Sequence, residues 1–159
     1  MGLPFLSRAA FYGFTRMAVA PAVHAYFHRL DAVHPERLPQ RGPLLIVVNH
    51  PASLTDVLIL GVVLRRRLRF VAYSGLFRLW IHGAFLRACG ALPIYRREDA
   101  ASLMHRNADT FSDCFEAFDD GEAVVMFPEG TSRDERAVLA FKTGSARMAL
   151  QYERRAGRS

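Results

Sequence analysis

The feature that most constrains the fold is an alternation between short, β-branched apolar runs and longer stretches with helical periodicity. The apolar runs lie at 44–48, 69–73, 91–95 and 123–127. Helical stretches are predicted between and after them, near 53–64, 76–88, 99–119 and after Thr143. Strands that alternate with helices predict an α/β fold, in which helices flank a mostly parallel sheet.

The length of the chain favours one domain with an additional N-terminal segment. With 159 residues, of which 51% are hydrophobic and 12 are phenylalanine, the chain can bury one substantial core but not two. The turn-rich sequence LPQRGP at 38–43 marks the start of the domain proper. We therefore predict an N-terminal membrane-associating helical segment at 1–30 and an α/β domain at 38–159.

The N-terminal segment is long and apolar. Between Ala9 and Phe27 its only charged residue is Arg16, and Pro21 is expected to interrupt a helix there. Its length is close to that of a membrane span, but Arg16 and Pro21 argue against a simple span. The favoured interpretation is a helical hairpin at a membrane surface, and the alternatives are a span or a helix packed on the core.

The net charge of +6 favours anionic partners, and Lys142 is the only lysine among the basic residues. Nucleic acid, phospholipid headgroups and phosphorylated metabolites all fit this charge, and a codon-biased genome would also enrich arginine. Cys89 and Cys114 form no CxxC motif and are too few for a disulfide scaffold, which favours a reducing compartment.

Chemistry-bearing residues follow three of the predicted strands. The carboxyl ends of parallel strands meet at one edge of a sheet, where α/β proteins usually bind their ligands. The residues at these strand ends are Asn49-His50-Pro51 with Asp56 beyond them, Arg96-Arg97, and Pro128-Glu129-Gly130-Thr131-Ser132-Arg133. They supply a candidate base, a candidate anion site and a polar turn.

His50 is a candidate general base, and Asp56 is the carboxylate that would orient it. The alternative is a histidine that only caps a helix or satisfies a loop. The chain contains no GxSxG motif and no cysteine flanked by basic residues, so direct attack by a substrate hydroxyl is the simpler scheme. No HExxH-like spacing is present, and we predict no metal site.

The other two strand ends suit an anionic ligand. Arg96 and Arg97 offer guanidinium groups that can hold a phosphate, although a basic pair at a strand end is often only solvated. In the turn at 128–133, Gly130 lets the backbone approach a ligand, while Thr131 and Ser132 supply hydroxyls and amides. The alternative is an ordinary turn after a strand.

Four stretches resemble the glycerolipid acyltransferases, which include the bacterial 1-acylglycerol-3-phosphate acyltransferases. They are NHPASLTD at 49–56, GALPIYR at 90–96, FPEGTS at 127–132 and FKTGSARMAL at 141–150. Their order and spacing agree with the family, and the resemblance covers most of the chain.

Two departures from the family pattern stand out. Five residues separate His50 from Asp56 where four are usual, which on a regular helix moves the carboxylate from about 40° to about 140° around the axis. A loop or bulge must absorb the extra residue, and the five-residue spacing resembles one bacterial branch of the family. The family's fourth block is not reached before Ser159, so the resemblance implies a C-terminally truncated chain with one uncovered sheet edge.

The resemblance implies transfer of a fatty acyl group from acyl-CoA or acyl carrier protein to a hydroxyl of a glycerol-phosphate acceptor, with lysophosphatidic acid the first candidate. His50, oriented by Asp56, would deprotonate that hydroxyl. Arg96 would hold the phosphate, and the acceptor site would be shaped by Glu129, Gly130, Thr131 and Ser132, with Arg133 and Lys142 as weaker additions. No cofactor is implied beyond the acyl donor.

The same resemblance implies a membrane surface as partner and a location at the cytoplasmic face of the inner membrane. No nucleic acid partner is predicted, because the sequence has no aromatic-rich RNA-binding signature and no zinc finger. Basic residues at 65–67 and Arg69 are candidate contacts for anionic lipid, with a solvated charge run as the alternative. Two other functions remain open, which are a non-catalytic membrane- or polyanion-binding module and a thioesterase-like hydrolase that uses water in place of the glycerol hydroxyl.

Overall fold

The predicted α/β fold with a parallel sheet is confirmed. The computed structural model describes residues 8–96, 101–131 and 138–157. Within them lies one sheet, formed by β1 (Leu44–Val47), β2 (Leu68–Tyr73), β3 (Leu92–Ile94) and β4 (Ala123–Met126). The spatial order is β1-β4-β2-β3 and every neighbouring pair is parallel. All carboxyl ends therefore meet at one edge, and β4 lies between β1 and β2.

The helices in the described part of the chain follow the predicted periodicity. They are α1 (Arg8–Tyr26), α2 (Leu54–Val63), α3 (Trp80–Ala88), α4 (Asn107–Asp119) and α5 (Gly144–Arg155). Two of the predicted helical stretches begin as 3-10 helix, because residues 76–77 belong to the 3-10 helix Ser74–Phe77 and residues 101–106 form the 3-10 helix Ala101–Arg106. Asn107, the first residue of α4, is bonded to Tyr95, the residue after β3: its side chain accepts from the backbone N–H of Tyr95 at 2.8 Å and donates to its carbonyl at 2.9 Å.

Helix α1 runs through Pro21 without a break, so the predicted interruption and hairpin are wrong. A proline removes only one helical hydrogen bond, and packing on both sides of Pro21 holds the helix together. Tyr12 packs against the core, and Val23 is buried. The guanidinium of Arg16 donates to the carbonyl of Val62 at 2.9 Å. In the part of the chain that the structure describes, no helix has the length and apolarity needed to cross a membrane.

The sheet separates two apolar layers because successive side chains of a strand point to opposite faces. Val124 and Met126 face α4 and α5, where they pack with Cys114, Phe118 and Met148. Ala123 and Val125 face the other way, toward α1 and α2. Strand β4 is therefore covered on both faces, which explains its continuous apolar sequence.

The arginines near β2 stabilise the amino edge of the sheet. Arg66 is buried and donates to the carbonyls of Pro39, Gly42 and Gly121. Arg67 and Arg69 both pair with Glu122, whose side chain is only 6% exposed. Neither lipid contact nor a solvated charge run describes Arg66 and Arg69, because their guanidinium groups are bonded within the fold and withdrawn from solvent. Arg65 and Arg67, by contrast, are exposed, so the two interpretations stay open for them.

Candidate active site

The structure brings His50 and Asp56 into contact at the carboxyl edge of the sheet. His50 leaves the end of β1, and Asp56 lies in the first turn of α2. His50 Nδ1 is 3.0 Å from Asp56 Oδ2, which also accepts the backbone N–H of Ala52 at 2.9 Å. Since an ionised carboxylate only accepts, this contact places a proton on Nδ1, and in the neutral imidazole the lone pair is then on Nε2.

The turn before α2 absorbs the extra residue between His50 and Asp56. Ser53, the last residue before the helix, has a φ of 51°, which is unusual for a residue with a side chain. This conformation turns the chain sharply, and the helix begins only at Leu54. Asp56 is thereby directed back toward His50, so the angle expected from a continuous helix does not apply.

Phe127 joins the third motif to this pair. Its ring stacks on the imidazole of His50, with ring centroids 3.8 Å apart and planes 17° from parallel. Phe127 directly follows β4, which pairs with β1, and the N–H of Val48 bonds to the carbonyl of Met126 at 3.2 Å. The imidazole is therefore held between a carboxylate at one ring nitrogen and an aromatic face.

The polar turn after β4 has the conformation that its glycine suggests. Gly130 has a φ of 68°, and its N–H donates to the carbonyl of Phe127 at 3.1 Å. A Cβ added there would lie 3.1 Å from Lys142 Nζ, so the lysine side chain passes directly over the glycine. Glu129 is buried at 6% exposure and Thr131 is partly buried. Ser132 and Arg133, also predicted for this site, lie outside the described residues.

Arg96 lies farther along the same edge. Strand order places β3 three strand spacings from β1, roughly 14 Å. The Arg96 guanidinium carbon lies 4.3 Å from the centroid of the Tyr73 ring, so the side chain leans over the neighbouring strand β2. Arg96 thus forms a second, cationic part of the edge, while Arg97 lies outside the described residues.

Three positioning residues escaped the sequence analysis. Tyr73 ends β2 at the carboxyl edge, so the strand-end rule that identified Arg96 also pointed to it. Phe127 was noted only as part of a motif, and its stacking on His50 needs the pairing of β4 with β1. Asn107, which fixes the backbone just before Arg96, had no local signal because its partner lies twelve residues away.

This arrangement suits proton transfer from a hydroxyl close to an anionic group. Burial raises the pKa of the Cys114 thiol to about 12 and also raises that of Cys89, so neither cysteine supplies a thiolate nucleophile. Among residues 8–96, 101–131 and 138–157, no three side chains of His, Cys, Asp or Glu are grouped to hold a metal ion. The groups available for chemistry at this edge are an imidazole, carboxylates and cations.

Comparison with known proteins gives a consistent picture. The family model described as Acyltransferase matches residues 29–155. The lyso-ornithine lipid O-acyltransferase of Rhizobium meliloti (strain 1021) is 36% identical over 111 residues, which are 70% of this chain and 35% of that protein. The 1-acyl-sn-glycerol-3-phosphate acyltransferase alpha of Mus musculus is 32% identical over 143 residues, 87% of this chain and 47% of that protein.

A third relative, Taffazin of Dictyostelium discoideum, is 25% identical over 125 residues, which are 74% of this chain and 42% of its own length. No solved structure matches the chain. The chain therefore spans between about a third and a half of the length of these relatives. Because the family model covers most of the chain, from residue 29 to residue 155, this protein belongs to the acyltransferase family, and its resemblance to the glycerolipid acyltransferases is confirmed.

Proposed function

We propose that this protein transfers a fatty acyl group from an acyl thioester to a hydroxyl of a lysophospholipid-type acceptor, with 1-acylglycerol 3-phosphate the first candidate. The observation that carries the proposal is the 3.0 Å contact between His50 and Asp56 at the carboxyl edge of the sheet. Two relatives named for lyso-ornithine lipid and 1-acyl-sn-glycerol-3-phosphate support a lyso-lipid acceptor.

In the proposed reaction His50 Nε2 removes the proton of the acceptor hydroxyl while its oxygen attacks the thioester carbonyl. The new C–O bond forms, the C–S bond breaks, and the departing sulfur takes the proton from the imidazolium. Asp56 stabilises that imidazolium through Nδ1. A positioned general base of this kind contributes about 10²- to 10⁴-fold to the rate. No acyl-enzyme is required.

The acceptor's phosphate is proposed to bind Arg96, whose guanidinium can form two parallel hydrogen bonds with it. Leaning over Tyr73 brings the guanidinium about one strand spacing closer to His50. Glu129, Gly130, Thr131 and Ser132 are proposed to shape the rest of the acceptor site. The proposed donor is acyl-CoA or acylated acyl carrier protein. The acyl transfer is proposed to take place on the cytoplasmic face of the inner membrane.

A product assay on the whole chain tests this proposal. Labelled acyl-CoA and acyl carrier protein are offered with 1-acylglycerol 3-phosphate, glycerol 3-phosphate and lyso-ornithine lipid as acceptors. We expect esterified lipid, formed fastest from 1-acylglycerol 3-phosphate. Release of free fatty acid alone would replace the proposal with a thioesterase-like hydrolase. Binding to vesicles or polyanions without any product would replace it with a non-catalytic module.

A further inference from the structure

Helix α3 directs its apolar side chains toward solvent. Trp80 is 80% exposed, Ile81 60% and Phe85 50%, whereas a helix on the surface of a globular protein normally buries such residues. At 100° per residue these side chains and Ala84 span about 140° of the helix circumference. The inward position is Gly83, where an added Cβ would lie 2.6 Å from the carbonyl oxygen of Phe77.

Further exposed apolar side chains lie on the segments next to α3. Phe85 meets Phe11 of α1 edge to face, with ring centroids 6.1 Å apart, which joins the two helices. The exposed residues of this area are Leu76, Leu79, Trp80, Ile81 and Phe85 around α3, with Phe14 and Met17 from α1. We call this set the α3 surface. Large apolar side chains that are exposed together on adjoining segments are typical of an interaction site.

The charges around the α3 surface have one sign. Residues 8–30 and 74–90, which supply both helices, contain no aspartate and no glutamate. On α3 itself Arg87 is exposed at one side of the apolar stripe and the polar side chain of His82 at the other, and a second arginine, Arg78, is exposed just before the helix. An apolar face bordered by cations is the pattern of a helix lying in the interface of an anionic membrane.

We propose that the α3 surface docks on a bilayer containing anionic lipid, with Trp80 and Ile81 at the boundary between headgroups and acyl chains. The proposed function names a membrane as partner, and this proposal names the surface that contacts it. It rests on the proposed function only in taking a membrane, and not another partner, as the occupant. Chain order supports the choice of a membrane, because α3 follows the carboxyl end of β2. At that end the ring of Tyr73 contacts the guanidinium of Arg96. Docking here would bring a membrane lipid to the proposed acceptor site.

Trp80 reports on this contact directly because it is the only tryptophan of the chain. The fluorescence of the whole protein is measured with vesicles of phosphatidylcholine, with and without phosphatidylglycerol, and with lipids brominated at defined depths. We expect the emission to shift to the blue with anionic vesicles and to be quenched most strongly by bromine near the headgroup end of the acyl chain. Unchanged, unquenched emission from vesicle-bound protein would overturn the proposal and assign attachment to another segment.

A matched pair of variants tests the surface by charge insertion. Ile81 and Leu150 are both 60% exposed, but Leu150 belongs to α5 on the opposite side of the sheet. We expect Ile81→Glu to weaken binding to anionic vesicles by about tenfold or more, since a carboxylate must enter the apolar boundary beside anionic lipid. Leu150→Glu should bind as the unchanged protein does. Equal binding by the two variants, with circular dichroism showing both folded, would overturn the proposal.

Two further measurements separate this proposal from its alternatives. His50→Ala should bind vesicles as the unchanged protein does, so a chain that docks through Trp80 but transfers no acyl group would contradict the proposed function alone. Blue-shifted Trp80 emission without vesicles, reversed by dilution, would show that a second copy of the chain covers this surface. That outcome would overturn docking on a membrane.

Discussion

Two clusters of charged side chains lie at opposite edges of the same sheet, and they differ in what remains for a ligand. At the amino edge both carboxylate oxygens of Glu122 are paired with arginines, and Glu122 is 6% exposed. At the carboxyl edge Asp56 and His50 hold each other at 17% exposure, and within the described residues no hydrogen bond to His50 Nε2 is formed. At the amino edge both oxygens of the carboxylate are therefore used within the fold, while at the carboxyl edge the second ring nitrogen of His50 is left for a ligand.

The comparison shows that burial and ion pairing alone do not identify a functional charge. Glu122 is the more buried carboxylate and has two cationic partners, yet its interactions join β2 to the start of β4. Asp56 is the less buried one, and its partner is an imidazole, a group that can serve as a general base. The predictions below separate the two edges by measuring activity and stability on the same variants.

The largest effect is expected from His50→Ala. Removing the proposed general base should lower the rate of acyl transfer about 10³-fold. The free energy of unfolding should change little, because the imidazole is partly exposed and lies at the edge of the core. Product formation and urea unfolding measure the two effects. Transfer within tenfold of the unchanged protein would contradict the role of His50.

Glu122→Gln should have the opposite effect, lowering stability and leaving acyl transfer nearly unchanged. Losing the carboxylate leaves Arg67 and Arg69 without their charge partner, which should lower the free energy of unfolding by about 2–3 kcal/mol. Transfer measured well below the unfolding transition should be nearly unchanged. The control is Asp31→Asn, which removes a pair with side chains 83% and 57% exposed and should change stability by less than about 1 kcal/mol. Equal effects of the two variants would contradict the structural role.

Asp56→Asn should have the next effect, a fall in the turnover number of about 10²-fold. An amide no longer stabilises the imidazolium by charge, and its NH2 group can bond the wrong tautomer of His50. Steady-state kinetics with a saturating acceptor measure the change. An unchanged turnover number would show that the contact between His50 and Asp56 serves only the fold.

Tyr73→Leu should give the smallest effect. The ring of Tyr73 attracts the Arg96 guanidinium by roughly 0.5–1 kcal/mol, so losing it should raise the acceptor KM about two- to fivefold and leave the turnover number unchanged. Tyr73→Phe keeps the aromatic face and should behave as the unchanged protein does. A change confined to the donor KM would show that Arg96 does not serve the acceptor.

The parts of the fold that could be predicted depend on local periodicity. The four strands and the edge that carries His50, Arg96 and Glu129 follow from apolar runs and from the residues directly after them. The break at Pro21 was predicted wrongly because that rule ignores packing, and Tyr12 and Val23 stabilise the helix on both sides of the proline.

The remaining geometry depends on backbone conformation and backbone acceptors, which cannot be read from the type of a single residue. The approach of Asp56 to His50 needs a positive φ at Ser53, whereas sequence rules assign such values mainly to glycine and asparagine. The role of Arg66 depends on three backbone carbonyls that lie 24 to 55 residues away. Backbone acceptors cannot be recognised from the pattern of side chains, so the arginines at 65–67 and Arg69 resembled a surface patch in the sequence.

A double-mutant cycle tests the central claim, that His50 and Asp56 act as one catalytic unit, most directly. Acyl transfer is measured for the unchanged protein, His50→Ala, Asp56→Asn and the double variant, with folding verified for each. If Asp56 acts only through His50, the double variant should be no slower than His50→Ala alone. Losses that multiply, with the double variant slower than His50→Ala by the full Asp56→Asn factor, would contradict the account.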